Sequence, residues 1–199
     1  MTQNAPKCKF FRNNRRRFSK LLKPGSIAVF HSNDQMPRNG DQFYPFRQNA
    51  DFFYLTGINQ EKSILLVAPE HPDPKFREIL FLIETNEKIA TWEGHKYTKN
   101  EASAISGIEN VQWLDGYQML LRELMHWCSR VYINTYEYPK YETDVPSRNI
   151  RCANELRKNF PGHTFERSAP AMTGLRMIKQ KEEVEMIREA IRITGKAFE

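Results

Sequence analysis

Short apolar runs, bounded by proline, glycine or polar clusters and separated by stretches of helical period, constrain this chain more than any other feature. Residues 26–31, 63–68, 78–84 and 131–134 are such runs, too short for core helices and rich in Val, Ile, Leu and Phe, so they predict strands. Residues 52–55 read the same way, as a strand turned by Thr56-Gly57, and 111–114 and 164–166 supply two more, the last at an edge. Pro69, Pro72 and Pro74 make the segment between the second and third of the main runs a loop with a hairpin-like return. Helical patterns alternate with these strands. Residues 99–105 predict a short helix ending at Gly107, and 148–160 one stopped by Pro161-Gly162. Asp115 stands where it could cap a helix running to about Cys128, with Tyr117, Leu120, Leu121, Leu124 and Met125 on its apolar face and Met119 and Trp127 assigned to the same packed face. Alternation of this kind belongs to an α/β domain, a mixed sheet flanked by helices.

At 199 residues and 40% hydrophobic, the chain can fill one domain and a short appendage. The appendage is the C-terminal segment, where Val184, Ile187, Ile191 and Phe198 build one apolar stripe without a Gly or Pro stop before Glu199. A helix with such a stripe awaits a partner surface, and the segment is expected to start a further domain. Mean hydropathy is −0.68 and no apolar run approaches the length of a bilayer span, so no membrane crossing is expected.

The net charge of +6 is local. Residues 1–24 hold Lys7, Lys9, Arg12, Arg15, Arg16, Arg17, Lys20 and Lys23 and no acid, which leaves 22 of the 30 basic residues against all 24 acids in the rest. The body is therefore near neutral, and a solvated face is the commoner use of such a run; no aromatic stacking platform or zinc spacing accompanies it, so nucleic acid is not the expected partner. An Arg-rich, acid-free start also mimics a mitochondrial transit peptide, but Phe10, Phe11, Asn14, Phe18, Leu21 and Leu22 line one side of a helix that fits docking to the body. Cys8, Cys128 and Cys152 are scattered and odd in number, unlike a disulfide framework, and imply a reducing, cytoplasmic setting. His126 and Cys128 are two apart on the expected helix, point apart, and read as packing residues rather than a metal pair; His31, His71, His95 and His163 show no ligand spacing.

The densest run of specific residue types spans positions 38–57, RNGDQFYPFRQNADFFYLTG. Pro45 fixes a bend between two aromatics, and Arg47 and Asp51 offer opposite charges, so the run alone predicts a loop pinned by an ion pair and leading into the core. Together with Arg15-Arg16-Arg17 before it and Leu175-Arg176-Met177-Ile178-Lys179 after it, in that order, the run resembles the N-terminal domain of aminopeptidase P, a member of the creatinase-like "pita-bread" family.

That resemblance implies a ribonuclease-H-like α/β domain over residues 1–168 and, over 169–199, a connector and first helix of a catalytic domain. It also implies a parent that is a homo-oligomer, dimer or tetramer, cutting proline-containing peptides after the residue that precedes proline, with two manganese ions held by Asp, His and Glu ligands that would lie past Glu199. No catalytic or metal-ligating residue is carried onto this chain, which alone is expected to be inactive. Asp41, Tyr44, Pro45, Arg47, Gln48 and Asp51 are the motif-loop positions, structural or at an interface. Thr91-Trp92-Glu93-Gly94 resembles the family's tryptophan segment, so Trp92 is a candidate for the substrate rim, with ordinary packing the competing role. Gln180-Lys181 stands where the family's linker helix opens with Ser-Pro, which predicts a less sharply fixed helix start. The alternative to a truncated enzyme is a stand-alone protein- or polyanion-binding module without catalysis.

Overall fold

The computed structural model describes residues 8–135, 137 and 144–198; Lys7 and Glu199 lie outside the described residues. The chain enters through helix α1 (Cys8–Ser19) and strand β1 (Ser26–His31), followed by a small exposed hairpin, β2 (Pro37–Asn39) and β3 (Gln42–Phe43). Helix α2 (Ala50–Thr56), strands β4 (Ile64–Val67) and β5 (Glu78–Leu82), helices α3 (Glu87–Glu93) and α4 (Lys99–Ser106) and strand β6 (Asn110–Trp113) come next. Then follow α5 (Tyr117–Met125), β7 (Arg130–Ile133), α6 (Arg148–Asn159), β8 (Thr164–Arg167), α7 (Ala169–Met177) and α8 (Lys181–Phe198).

Six strands form one mixed sheet in the order β6-β5-β4-β1-β7-β8. Strands β1, β4 and β5 are an antiparallel meander, with Val29 opposite Leu66 and Leu65 opposite Leu80. The other pairings, β1 with β7, β7 with β8 and β5 with β6, are parallel. The central strands are buried on both faces, which explains why they read as continuous apolar runs rather than as alternation. Period two still sorts the side chains. Ala28, Phe30, Leu65, Val67, Leu80 and Leu82 face a layer of α1, α2, α4 and α7, whereas Ile27, Val29, Ile64, Leu66, Ile79 and Phe81 face α5 and α6. The mixed sheet flanked by helices is the expected α/β architecture.

Three local expectations give way. Residues 52–55 are not a strand but the body of α2. Asn49 is its N-cap, its side chain accepting from the Asp51 and Phe52 amides at 3.0 Å each, and Gly57 closes it at φ 72° with its N–H on the Phe53 carbonyl. Four apolar residues carry no resolvable period, so the caps on either side decide the outcome. Asp115 does not cap α5: residues 114–116 form a 3-10 turn, Gly116 takes the cap position, and Asp115 accepts only the Gly116 amide. Because α5 stops at Met125, Trp127 lies past it and meets His71 edge-on at 5.5 Å, and Met119 and Trp127 are exposed rather than packed. His126, too, is exposed at the helix end.

Helix α1 docks on the body with Phe10, Phe11, Asn14 and Phe18 buried, as its stripe predicts, but other parts of its expected role give way. Leu21 and Leu22 fall beyond α1, and Leu21 is exposed. Arg15 is no solvated cation: it is 0% exposed, at the centre of the interface between α1 and the body. Its Nη1 donates to the carbonyls of Leu55 (2.8 Å) and Ser106 (2.9 Å), and its Nε pairs with Glu78 at 2.9 Å. Beside it the Asn14 amide donates to the Tyr54 carbonyl at 2.9 Å, and Arg12 donates to that of Gly107 at 3.2 Å. These acceptors are the carbonyls that the ends of α2 and α4 leave without an intrahelical donor. Helix α1 is thus a shared C-terminal cap for two other helices, its guanidinium set against their negative ends. Burial pulls the Arg15 pKa below its ordinary value, opposed by Glu78.

Helix α7 closes the same layer, with Met172 and Leu175 in its core cluster. Helix α8 buries none of its residues; Ile187, Ile191, Ile193 and Phe198 are exposed along it. Its start is nevertheless fixed. The Gln180 amide N–H donates to Glu183 at 2.9 Å, while the Gln180 side chain accepts from Asn13 (2.8 Å) and donates to Asn14 and to the Tyr54 hydroxyl. The Gln180 side chain ties the linker to α1 and α2, while the Glu183 carboxylate supplies the bond at the helix start.

Candidate functional site

The motif loop divides into an anchored half and a presented half. Gln48 is the anchor: its Nε2 donates to the carbonyls of Ile58 (3.1 Å) and Gln60 (2.9 Å), and its Oε1 accepts from the amides of Asn33 (3.2 Å) and Asn49 (2.8 Å). One side-chain amide, with both donors and both lone pairs used, ties the loop to the segment leaving β1 and to the segment leaving α2. Asn33 adds a bond from its Nδ2 to the Arg47 carbonyl at 2.9 Å.

Asp51, in the first turn of α2, does not pair with Arg47. Its partner is Arg176 on α7, 2.6 Å away, whose guanidinium also lies 6.0 Å from the centre of the Tyr54 ring. The expected ion pair within the loop therefore gives way to one 125 residues apart in sequence. The geometry behind this is helical: Asp51 and Tyr54 are three apart on one face of α2, and that face meets α7. The Tyr54 hydroxyl sits among Arg17, Gln180 and the Leu175 carbonyl, and burial, then Glu183, raises its pKa.

Asp41, Tyr44, Pro45 and Arg47 are exposed. Tyr44 is held by its backbone, whose N–H donates to the Met36 carbonyl at 2.9 Å, and Arg38 lies 5.9 Å from its ring centre. Met36, Phe43 and Tyr44 together show an apolar surface at the open end of the β2–β3 hairpin, away from its Gly40-Asp41 turn. Trp92 is 89% exposed on α3, a helix capped by Asn86, whose Oδ1 accepts from the Ile89 amide at 3.0 Å. Packing into this chain's core is thus no explanation for Trp92. Among the described residues no ring contact or hydrogen bond joins Trp92 to the motif loop, so the loop and the tryptophan stand as two separate exposed features.

The remaining chemistry is sparse. Among the described residues no three His, Cys, Asp or Glu side chains converge to hold a metal ion, so the residues present do not fit a two-manganese centre. The thiols are free, and burial pushes Cys128 up to about 11 and raises Cys152, away from nucleophilic character. No helix among the described residues is long and apolar enough to cross a membrane. Arg176 and Gln180 join the motif loop and α1 to the C-terminal segment; the sequence places both in the linker but gives neither of them a partner. The available signal for the first was Asp51 facing away from Arg47 once residues 50–56 are helical.

Residues 11–132 match the family model of the aminopeptidase P N-terminal domain. The Xaa-Pro aminopeptidase of Escherichia coli (strain K12) is 26% identical over 188 residues, covering 94% of this chain and 42% of that protein. Xaa-Pro aminopeptidase 3 of Homo sapiens is 25% identical over 185 residues, covering 86% of this chain and 34% of that one. A solved structure described as an aminopeptidase P from Bacillus anthracis is similar with a TM-score of 0.87 and 27% identity, over 97% of this chain and 46% of its own. Zinc-substituted E. coli aminopeptidase P in complex with product has a TM-score of 0.78 at 22% identity, over 97% and 44%, a likeness of fold. The chain spans less than half the length of the curated relatives it matches.

Proposed function

The chain belongs to the family of aminopeptidase P N-terminal domains, and from that premise we propose that it is the assembly and access-shaping part of a dimetal Xaa-Pro aminopeptidase. The observation that carries this reading is the asymmetry of coverage. Relatives with that activity in their names match 86% or more of this chain with only 28 to 42% of their own length. The substrate is then a peptide with proline in second position, and two metal ions, manganese by preference, belong to a domain that follows. We place residues 169–199 at the junction: α7 is already packed on the body, while α8 carries its apolar stripe away from it. The parent assembles as a dimer or tetramer in the cytoplasm, with Trp92 on the substrate rim and the exposed Asp41, Tyr44, Pro45 and Arg47 at an interface. The stand-alone polyanion binder through Arg15, Arg16 and Arg17 is the weaker reading, because Arg15 is consumed inside the fold.

The test is to express the reading frame beyond Glu199, load the product with manganese and follow release of the first residue from Xaa-Pro peptides. The longer polypeptide should cleave and the 199-residue chain should not; a longer polypeptide that leaves every Xaa-Pro peptide intact overturns the reading. In that longer polypeptide Trp92→Ala should lower kcat/KM by tenfold or so, about 1.4 kcal/mol of transition-state binding. Unchanged kinetics and unchanged assembly would remove Trp92 from the substrate rim.

A further inference from the structure

Between α1 and the segment leading into β5 lies a groove of about 880 Å³, within the range of small-molecule sites, on the layer that also holds the ends of α4 and β6. Four cations line it: Arg12 and Arg16, one turn apart on α1, face Lys75 and Arg77 on the opposite wall. None of the four forms an ion pair among the described residues. Other cations have carboxylate partners: Arg15 pairs with Glu78, Lys96 with Glu61, Arg151 with Asp34 and Arg176 with Asp51. Two acids, Glu78 and Glu109, also line the groove, but Glu78 is already engaged by Arg15 from behind. Phe76 and Pro74 give the wall an apolar portion between the charges.

Like charges a turn apart repel, and four unpaired cations around one concavity leave its potential positive, an arrangement that an anion relieves. Guanidinium groups on one wall supply forked donors suited to phosphate or carboxylate oxygens, and a lysine on the other supplies a point charge. We propose that this groove is a binding site for a small polyanion that bridges the two walls with phosphate or carboxylate groups. The proposal stands independently of the peptidase reading, and its residues are distinct from the motif loop and Trp92.

Calorimetric titration of the chain at low ionic strength, with tripolyphosphate in one arm and citrate in the other, tests the site and separates the two anion chemistries. Saturable binding at one ion per chain is expected for at least one of them. The double variant R16Q/K75Q takes one charge from each wall at exposed positions and should weaken that binding roughly tenfold or more, the loss expected of charge-assisted hydrogen bonds. An equal removal of exposed charge on α5 and α6, across the sheet from α1, R122Q/K158Q, should leave it within about twofold, as exposed charges beyond a Debye length are screened. Thermal melting without ligand should be alike for all three proteins. The proposal is overturned if neither anion binds saturably, if R16Q/K75Q binds as the parent does, or if R122Q/K158Q loses as much.

Discussion

Replacing Arg15 by Met is the sharpest test of how α1 holds this fold. Methionine keeps the apolar stem and removes the guanidinium, so the carbonyls of Leu55 and Ser106 lose their donor in a place from which water is excluded. Stranding a buried acceptor costs about 1–3 kcal/mol, hence about 2–6 for the two. The ion pair adds little, at most about 1 kcal/mol, because the Glu78 side chain is 30% exposed and can rehydrate. A destabilisation of roughly 3–6 kcal/mol is expected, a large part of the stability of an ordinary domain. With an m-value of about 2 kcal/mol/M, the urea midpoint should fall by about 1.5–3 M. Arg16→Met, one residue along and exposed, should stay within about 0.5 kcal/mol of the parent, so that helix propensity and net charge are controlled. An Arg15→Met midpoint within error of Arg16→Met would refute the capping argument, whatever the distances.

Acid should destabilise the protein through His31, whose ring lies at the end of β1 against Tyr117 with neither nitrogen hydrogen-bonded among the described residues. Burial, with Arg148 adding, lowers its pKa to about 3 from an ordinary 6.5, so the unfolded chain takes up a proton that the folded one refuses. Stability from this group is intact above pH 6.5 and is lost as pH falls from there towards 3. The loss is about 2 kcal/mol at pH 5, and His31→Phe should flatten that slope in urea titrations at pH 7 and pH 5; an equal slope in the variant contradicts the assignment. Gly57→Ala should cost roughly 2–4 kcal/mol, since the position has φ 72° and a Cβ would meet the Phe11 ring at 2.4 Å. Gly40→Ala, also at positive φ but with open space around it, should cost only about 1 kcal/mol by the same melting assay. Asp51→Asn should cost no more than about 1 kcal/mol, because its partner Arg176 is 41% exposed; a larger loss would mean that the pair carries more than its surface geometry allows.

The sheet was legible because its central strands are buried on both faces and leave uninterrupted Val, Ile, Leu and Phe runs between prolines and glycines. Helices with an apolar stripe, α1 and α5 among them, were legible from their helical period. What escaped depends on partners distant in sequence. Residues 52–55 are helical because Asn49 and Gly57 cap them, and Asn49 could be weighed as a cap only once the residues after it were considered as a helix. Arg15 sits four residues after Phe11 and three before Phe18, squarely on the buried stripe, but its charge grouped it with Arg16 and Arg17; only the free carbonyls of α2 and α4 give it a reason to be inside. Met119 and Trp127 were assigned to a packed face by proximity to it, but Met119, two residues from both Tyr117 and Leu121, points to the opposite side of α5, and the end of α5 at Met125 leaves Trp127 beyond the helix. At the motif loop, Gln48 and Asp51 turned out to be inward fasteners and Asp41, Tyr44, Pro45 and Arg47 outward ones, a division set by the bend of the backbone.

The shared cap made by α1 also orders events in time. Arg15 reaches an acceptor 91 residues later, and Asn13 and Asn14 reach Gln180 across 167 and 166 residues. A chain synthesised from its N-terminus makes these residues first and can seat them last, after the ends of α2, α4 and α7 exist to receive them. Until then Phe10, Phe11 and Phe18 have no permanent neighbours and Arg15 stays in water. A proteolytic cut or a fusion joint placed inside residues 8–19 therefore does more than trim a terminus: it withholds the last piece that the remainder of the fold has left room for.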